Sequence, residues 1–311
     1  MSHYMARRLI LIVIPAFLSF SPCDAAADVR ACRDPDTPRS RTGLILPRSS
    51  AMIRELSDSS RADAVSGRRA VLNYPLLFAR DSWQVVTAPA RWQRRDWITL
   101  SLGVVGVCGV ASVDGLMRDV VQRNRSRALD DALEVIEPFG SHYSFYILGV
   151  FGAAGMVLGD SKSTAVAMDG LTANVIAGHM ITPAFKRAVG RRRPFQTQET
   201  YSFHPFGRDD SFPSGHATRA FAVASVVATH YDNWWVRVTA YSVAGLVAAA
   251  RVDHNVHFLS DVTAGALIGA TVGRAVVRFN ACRRHGESQE RLIPMPFWHD
   301  STAGIGIRLV F

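Results

Sequence analysis

Two textures divide the chain. From position 97 onward, long apolar stretches rich in Ala, Gly, Val and Leu recur at about 97–122, 142–158, 164–189, 215–231, 234–250 and 259–279. Each exceeds the length of an ordinary strand, and no hairpin turn chemistry separates them, so the pattern predicts helices throughout. The fold class expected is all-α, a bundle of about six helices, with a short strand-like tail where "STAGIGIRLVF" alternates at the C-terminus. A terminal phenylalanine on such a strand is also a feature of outer-membrane barrels, but one strand makes no barrel.

Before position 97 the texture is polar. Segment 28–95 mixes Ser, Arg and Asp, with "RDPDTPRSRTG" reading as loop, and is expected to be a weakly structured extension. The start is different again. Arg7 and Arg8 precede an apolar run at 9–20, and Ala25, Ala26 and Ala27 follow. This is the layout of a secretory signal, and the run is too short to span a bilayer. Cys23 invites a lipoprotein reading that Pro22 fits poorly. The organisation predicted is a signal at 1–27, a polar extension at 28–95, a helical domain at 96–283 and a tail at 284–311. Export would place the protein on the periplasmic side of the cell envelope, either membrane-associated or soluble.

Whether the bundle helices cross a membrane is left open by the pattern. Most uncharged windows fall short of the roughly 20 residues a span needs. Asp114, Asp169, Arg219 and Arg237 interrupt them, and only 141–159 approaches the length. Gly265, Gly269 and Gly273 recur every fourth residue, which lets a neighbouring helix approach closely.

Charge changes the picture less than its size suggests. The net charge is +9, and all but two of the basic residues are arginine, the exceptions being Lys162 and Lys186. The arginines are scattered and no nucleic-acid-binding motif is present, so nucleic acid is not expected as a partner. An oxidising compartment permits a Cys32–Cys282 disulfide, which sequence alone does not establish. Cys108, in an apolar run, is expected in the core.

Three clusters carry candidate chemistry. In "KRAVGRRRP", Lys186 and Arg193 stand seven apart, which is two helical turns and the same face, with Gly190 loosening the helix and Pro194 ending it, and would offer two cations near a helix end. In "SFPSGHATRA", Ser214 suits an N-cap, Gly215 lets backbone approach a ligand, and His216 falls in the first turn, where helix amides favour an anion. In "RVDHNVHFLSD", His257 and Asp261 are four apart, a spacing that on a helix shares a face. A carboxylate there fixes the imidazole tautomer and frees its other nitrogen. Arg251 adds a planar fork suited to phosphate. Each cluster alone has a bland counterpart: an arginine-rich helix end, a capped turn, a surface ion pair. Around them, His254 is expected to face elsewhere, and His142, His179, His204 and His230 show no partner spacing. Asp209 and Asp210, in the 195–212 loop, are expected to be solvated.

Taken together, Lys186-x6-Arg193-Pro194, Pro213-Ser214-Gly215-His216 and Arg251-x5-His257-x3-Asp261 resemble the three-part signature of the type 2 phosphatidic acid phosphatase and vanadium haloperoxidase superfamily. The resemblance covers roughly 97–280. One position departs: the third motif usually opens Ser-Arg, and Ala250 stands before Arg251 here, removing a supporting hydroxyl. The resemblance implies an envelope phosphatase acting on a phosphate monoester or diphosphate, with no metal or other cofactor. His257 would be the nucleophile forming a phosphohistidine, Asp261 its orienting carboxylate and His216 the proton donor. Lys186, Arg193, Ser214, Gly215 and Arg251 would hold phosphate oxygens. The implied partners are a phosphorylated lipid, such as phosphatidate, an isoprenoid diphosphate or a lipid A phosphate, and a membrane. Three alternatives stay open: a soluble periplasmic acid phosphatase of broad specificity, a vanadate-dependent haloperoxidase with vanadate on His257, and an inactive anion-binding scaffold.

Overall fold

The computed structural model describes residues 73–289, 291–299 and 302–310. The signal-like segment 1–27, most of the polar extension and Cys32 lie outside the described residues. What is described is almost entirely helical. In chain order the helices are α1 Tyr74–Thr87, α2 Arg94–Ala111, α3 Asp114–Arg123, α4 Arg127–Ile136, α5 His142–Leu158, α6 Ser161–Val175, α7 Thr182–Val189, α8 Gly215–His230, α9 Trp234–Asp253 and α10 Leu259–Gln289. Two antiparallel strands follow, β1 Arg291–His299 and β2 Thr302–Val310. The tail read as a lone strand is therefore a hairpin. Its first strand, with Pro294 and Pro296, lacks the alternation that marks the second.

The stretch expected at 97–122 is two helices, α2 and α3, bent by 50°. The break falls at Ser112, whose hydroxyl donates to the Gly109 carbonyl, and it turns Asp114 into the interior, where that residue is 1 % exposed. The stretch expected at 164–189 is also interrupted. Between α6 and α7, residues Ile176–Ile181 form a π-helical turn, and the Thr182 hydroxyl donates to the Ala177 carbonyl at 2.8 Å. Pro183, lacking an N–H, sits in the first turn of α7, where none is needed. α1 was not expected. It lies in the segment read as weakly structured, yet it buries Asp81 against Asn280 of α10, whose amide donates at 2.9 Å. α4 is a short amphipathic helix capped by the Ser126 hydroxyl, which accepts from the Leu129 amide. Charged residues interrupt the apolar positions of both, Arg80 and Asp81 in α1 and Asp130, Asp131 and Glu134 in α4, so neither shows a continuous apolar run.

α8 is the axis of the bundle. It is buried on every face along its middle turns, where small apolar residues predominate, with α9, α6 and α10 around it. The core beside it is built from small side chains. Ala173, Ile176, Ala177, Ala222, Val226 and Val276 pack on one side, and Ala220, Phe221, Ala224, Ala244, Val247 and Ala266 on the other. Helix α10 presents the four-spaced glycines to α8. A Cβ on Gly265 would stand 2.6 Å from the Ser214 carbonyl oxygen. One on Gly269 would overlap the Thr218 carbonyl, and one on Gly273 the Ser225 hydroxyl.

The outer surface is apolar on two helices. No residue of α2 is buried, and Leu102, Val104 and Val105 are exposed along it, as is Cys108, which was expected in the core. Val150, Val157 and Leu158 of α5 are likewise exposed. By length and composition α10 can cross a membrane over Leu259–Arg284, and the pairs α2–α3 and Arg127–Gly140 with α5 qualify as bent units. The candidate thus shifts from 141–159 alone to α10. Cys282 near the end of α10 is in a disulfide whose partner lies outside the described residues.

The glycine row yields a prediction. Gly269→Val should lower stability by about 1–3 kcal/mol, the usual cost of overpacking a tight contact. Gly106→Ala, where an added Cβ meets nothing within 4 Å, should be neutral or stabilising. Thermal unfolding of the two purified variants checks the contrast.

Candidate active site

All three clusters fall at one end of the bundle. α7 and α9 end there, and α8 and α10 begin there. A backbone bond from the Ser214 amide to the Asp261 carbonyl, 3.0 Å, ties the second cluster to the third.

Lys186 and Arg193 do converge, but not by sharing a helix face. α7 stops at Val189, Gly190 takes the left-handed conformation at φ 56°, and Arg193 lies in extended chain. A side chain at Gly190 would be strained and would also collide with the His204 carbonyl. Asp210 brings the two cations together. Its carboxylate accepts from Arg193 Nε at 2.7 Å and Nη2 at 2.8 Å, and from Lys186 Nζ at 3.1 Å. Asp210, expected to be solvated, is partly exposed and is also the bridge between the two cations. The Arg193 bonds hold its carboxyl at about 2 despite partial burial, with Lys186 adding to the effect. Burial pulls the Lys186 ammonium below its usual range, and Asp210 opposes that shift. Asp209 also has partners, His204 Nδ1 at 2.8 Å and Arg192 at 3.5 Å.

The second cluster forms the mouth of α8. The Phe212–Pro213 peptide is cis. Ser214 occupies the N-cap position as expected, but its side chain does not cap the helix. Its hydroxyl is fully buried and has no hydrogen-bond partner among the described residues. Buried hydroxyls are nearly always bonded, so this one is a donor without an acceptor. His216 sits in the first turn, surrounded by Arg251, Arg219, His257 and Lys186. Burial first, and then these cations, push its ring down to about 3. Arg219 is held to the Gly140 carbonyl by its Nε at 2.9 Å.

His257 precedes α10 rather than riding on it, so its closeness to Asp261 comes from the turn that starts the helix. The Phe258 amide donates to Asp261 Oδ2 at 2.9 Å, and Ser211 donates to the same oxygen at 2.6 Å. His257 Nδ1 stands 3.6 Å from that oxygen, longer than a hydrogen bond, and is buried with no hydrogen-bond partner among the described residues. Burial holds the His257 ring below the ordinary imidazole value, with Asp261 opposing and Arg251 reinforcing the shift.

Glu137, which nothing in the sequence singled out, enters from the turn Glu137–Gly140. It accepts from Arg251 Nη1 through one oxygen, and the other pairs with His254 Nδ1 at 2.7 Å. His254, expected to face away, thus backs the site. Glu137 also stands 4.0 Å from His216 Nε2.

These side chains grade from a rim to a floor. Asp210, His216, Arg193 and Lys186 are 46, 24, 23 and 19 % exposed, whereas Arg251, His257 and Asp261 are 9, 2 and 0 %. The arrangement gathers four cations, Lys186, Arg193, Arg219 and Arg251, with two imidazoles and a free hydroxyl in one pit. That donor set suits a tetrahedral oxyanion. Two carboxylates, Asp210 on Lys186 and Arg193 and Glu137 on Arg251, offset part of the charge.

Residues 167–284 match the family model described as PAP2 superfamily. A lipid A 1-phosphatase of Porphyromonas gingivalis is 35 % identical over 100 residues, which is 32 % of this chain and 20 % of that protein. Lipid A 1-phosphatases of Rhizobium johnstonii and Rhizobium etli are 29 % and 28 % identical over 199 residues, covering 58 % of this chain and 78 % and 82 % of theirs. Among solved structures, Aquifex aeolicus LpxE aligns at a TM-score of 0.41 and 24 % identity, over 53 % of this chain and 93 % of that one. A transmembrane PAP2-type phosphatidylglycerolphosphate phosphatase from Bacillus subtilis aligns at 0.42 and 20 %, over 70 % and 98 %.

The depressed histidine predicts a pH effect on stability. In the unfolded chain the His216 ring takes up a proton below about 6.5; in the fold it resists until about 3. Stability should therefore fall as pH drops below 6.5, by at most about 1.4 kcal/mol per pH unit for this ring. A His216→Asn variant should show a flatter loss of melting temperature between pH 7 and 5, measured without phosphate.

Proposed function

Because residues 167–284 match the PAP2 superfamily model, we propose that the chain is a member of that superfamily and a metal-independent phosphatase acting on a lipid phosphate monoester or diphosphate through a phosphohistidine. The observation that carries this reading is the buried Ser214 hydroxyl, lacking an acceptor, in a pit with Lys186, Arg193 and Arg251. Phosphoryl transfer asks mainly for positioning and charge stabilisation, and these groups supply both.

In the proposed reaction His257 Nε2 forms a bond to phosphorus as the ester P–O bond breaks. The leaving oxygen takes a proton from His216. His216 then accepts a proton from water, whose oxygen attacks phosphorus, and the N–P bond breaks to release phosphate. Lys186, Arg193, Arg251, Ser214 and the Gly215 amide hold the non-bridging oxygens throughout. Asp261 turns its Oδ2 toward His257 Nδ1 and balances the charge the ring gains. His216 is neutral while cations surround it, so substrate must arm it. A bound phosphate offsets Arg251 and Lys186 and restores the ring's basicity, with Glu137 beside it.

A lipid substrate is favoured by the shell of the bundle. Exposed Leu102, Val104, Val105, Val150 and Val157, with α10 long enough to span, suit an apolar surround. The site at one end of the helices would then meet a headgroup at the membrane surface. The lipid A 1-phosphatases among the relatives make a lipid A phosphate a first substrate to try, and the signal-like start places the site on the periplasmic side in this reading.

Purified protein should release phosphate from lipid phosphates in the presence of EDTA, and vanadate should inhibit it. His257→Ala should lose at least 1000-fold in kcat, and acid-quenched wild type should carry labelled phosphate on His257. Turnover undiminished in that variant would sink the nucleophile. Release of the protein by osmotic shock, instead of retention in washed membranes, would favour a soluble acid phosphatase.

A further inference from the structure

The arginine run 191–193 holds two different kinds of cation. Arg193 stands at the rim, on Asp210. Arg191 is 2 % exposed and lies beneath the site. Its Nη1 donates to Asp261 Oδ1 at 2.8 Å and to the Ser260 hydroxyl at 2.7 Å. Its Nη2 donates to Asp114 Oδ2 and to the Thr200 carbonyl, both at 2.8 Å. The guanidinium plane also lies over the Phe258 ring, 4.0 Å from its centroid. Asp114 is fixed in turn. Its Oδ1 accepts from the Ser260 amide at 2.9 Å, and its Oδ2 from the Ser260 hydroxyl at 2.5 Å.

Asp114, Arg191, Asp261 and His257 thus form one buried chain of charge. Resting on the reading of His257 as nucleophile, we infer that Arg191 and Asp114 are positioning residues that hold Asp261 ready for His257. The charge balance explains why both are needed. Arg191 alone would neutralise Asp261 and leave little charge for the imidazole. Asp114 occupies Arg191, so one net negative charge remains for His257 to answer when its ring becomes cationic on phosphorylation. The geometry agrees. With Oδ1 bound to Arg191, Oδ2 is the oxygen turned to Nδ1. Both terminal nitrogens of Arg191 are taken by Asp261, Ser260, Asp114 and the Thr200 carbonyl, so its influence on the reaction passes through Asp261. Asp114 lies on α3, outside the family-matched segment, which means this part of the arrangement comes from chain that the family match does not cover.

Three variants of the full chain test this: Asp114→Asn, Arg191→Met and the double variant. Each single variant should lower kcat at least 10-fold while KM and the vanadate inhibition constant stay within about 2-fold. The acidic limb of kcat/KM, where His257 must be neutral, should move in opposite directions. Losing the Asp114 charge should shift it to lower pH, and losing the Arg191 charge to higher pH. The double variant should bring the limb back toward wild type. The other groups facing His257, namely Arg251, Lys186 and His216, are unchanged in all three. A kcat within 2-fold of wild type, a loss of vanadate affinity with kcat retained, or limbs that stay put or move together would overturn the inference. If Arg191→Met does not accumulate, the isosteric Asp114→Asn decides on the same readouts. Wild type that shows no label on His257 refutes the nucleophile itself; labelled wild type with indifferent variants refutes only the role of Arg191 and Asp114.

Discussion

The site depends on how closely α8 and α10 approach. Glycines 265, 269 and 273 let the α10 backbone lie against the carbonyls and a hydroxyl of α8, and that contact sets the two helix starts side by side. The bond from the Ser214 amide to the Asp261 carbonyl is the last link of the same seam. The turn holding Ser214 and His216 therefore has little freedom relative to the turn holding His257 and Asp261. Small side chains elsewhere in the core follow from the same need, because Ala and Val let α6 and α9 close around α8 without displacing it.

Charge is the second constraint. Gathering Lys186, Arg193, Arg219 and Arg251 around two imidazoles would be costly in a half-buried pit without anions. Asp210 answers that at Lys186 and Arg193, and Glu137 answers it at Arg251. Below them, Arg191 lies between Asp114 and Asp261. Each layer of the pit thus carries its own counter-charge.

Much of this was legible in the sequence. Apolar runs marked the bundle helices, and motif spacing picked out Lys186, Arg193, Ser214, Gly215, His216, Arg251, His257 and Asp261, which the fold sets at one end. The reasons were less legible than the residues. Lys186 and Arg193 meet across a broken helix through Asp210, and His257 meets Asp261 through a turn. Glu137, Arg191 and Asp114 escaped notice as site residues because their side-chain partners stand 69 to 146 positions away in sequence, and no local pattern encodes such pairings. The helix breaks at Ser112 and in the π turn were hidden for a related reason. Apolar periodicity continues through them, and only the packing shows where the axis changes.

The π turn at Ile176–Ile181 works as a phase adjustment. Each residue of an α-helix advances the side-chain direction by about 100°, so a turn of wider pitch resets which way everything after it points. Lys186 lies one turn beyond that reset. Forcing the same residues into plain α-helix would swing the lysine about 100° off Asp210, whereas deleting one residue between 176 and 181 would let α6 run straight into α7 and leave Lys186 near its present direction. Indel tolerance at this point of the chain is thus governed by rotation about an axis, not by burial or loop length.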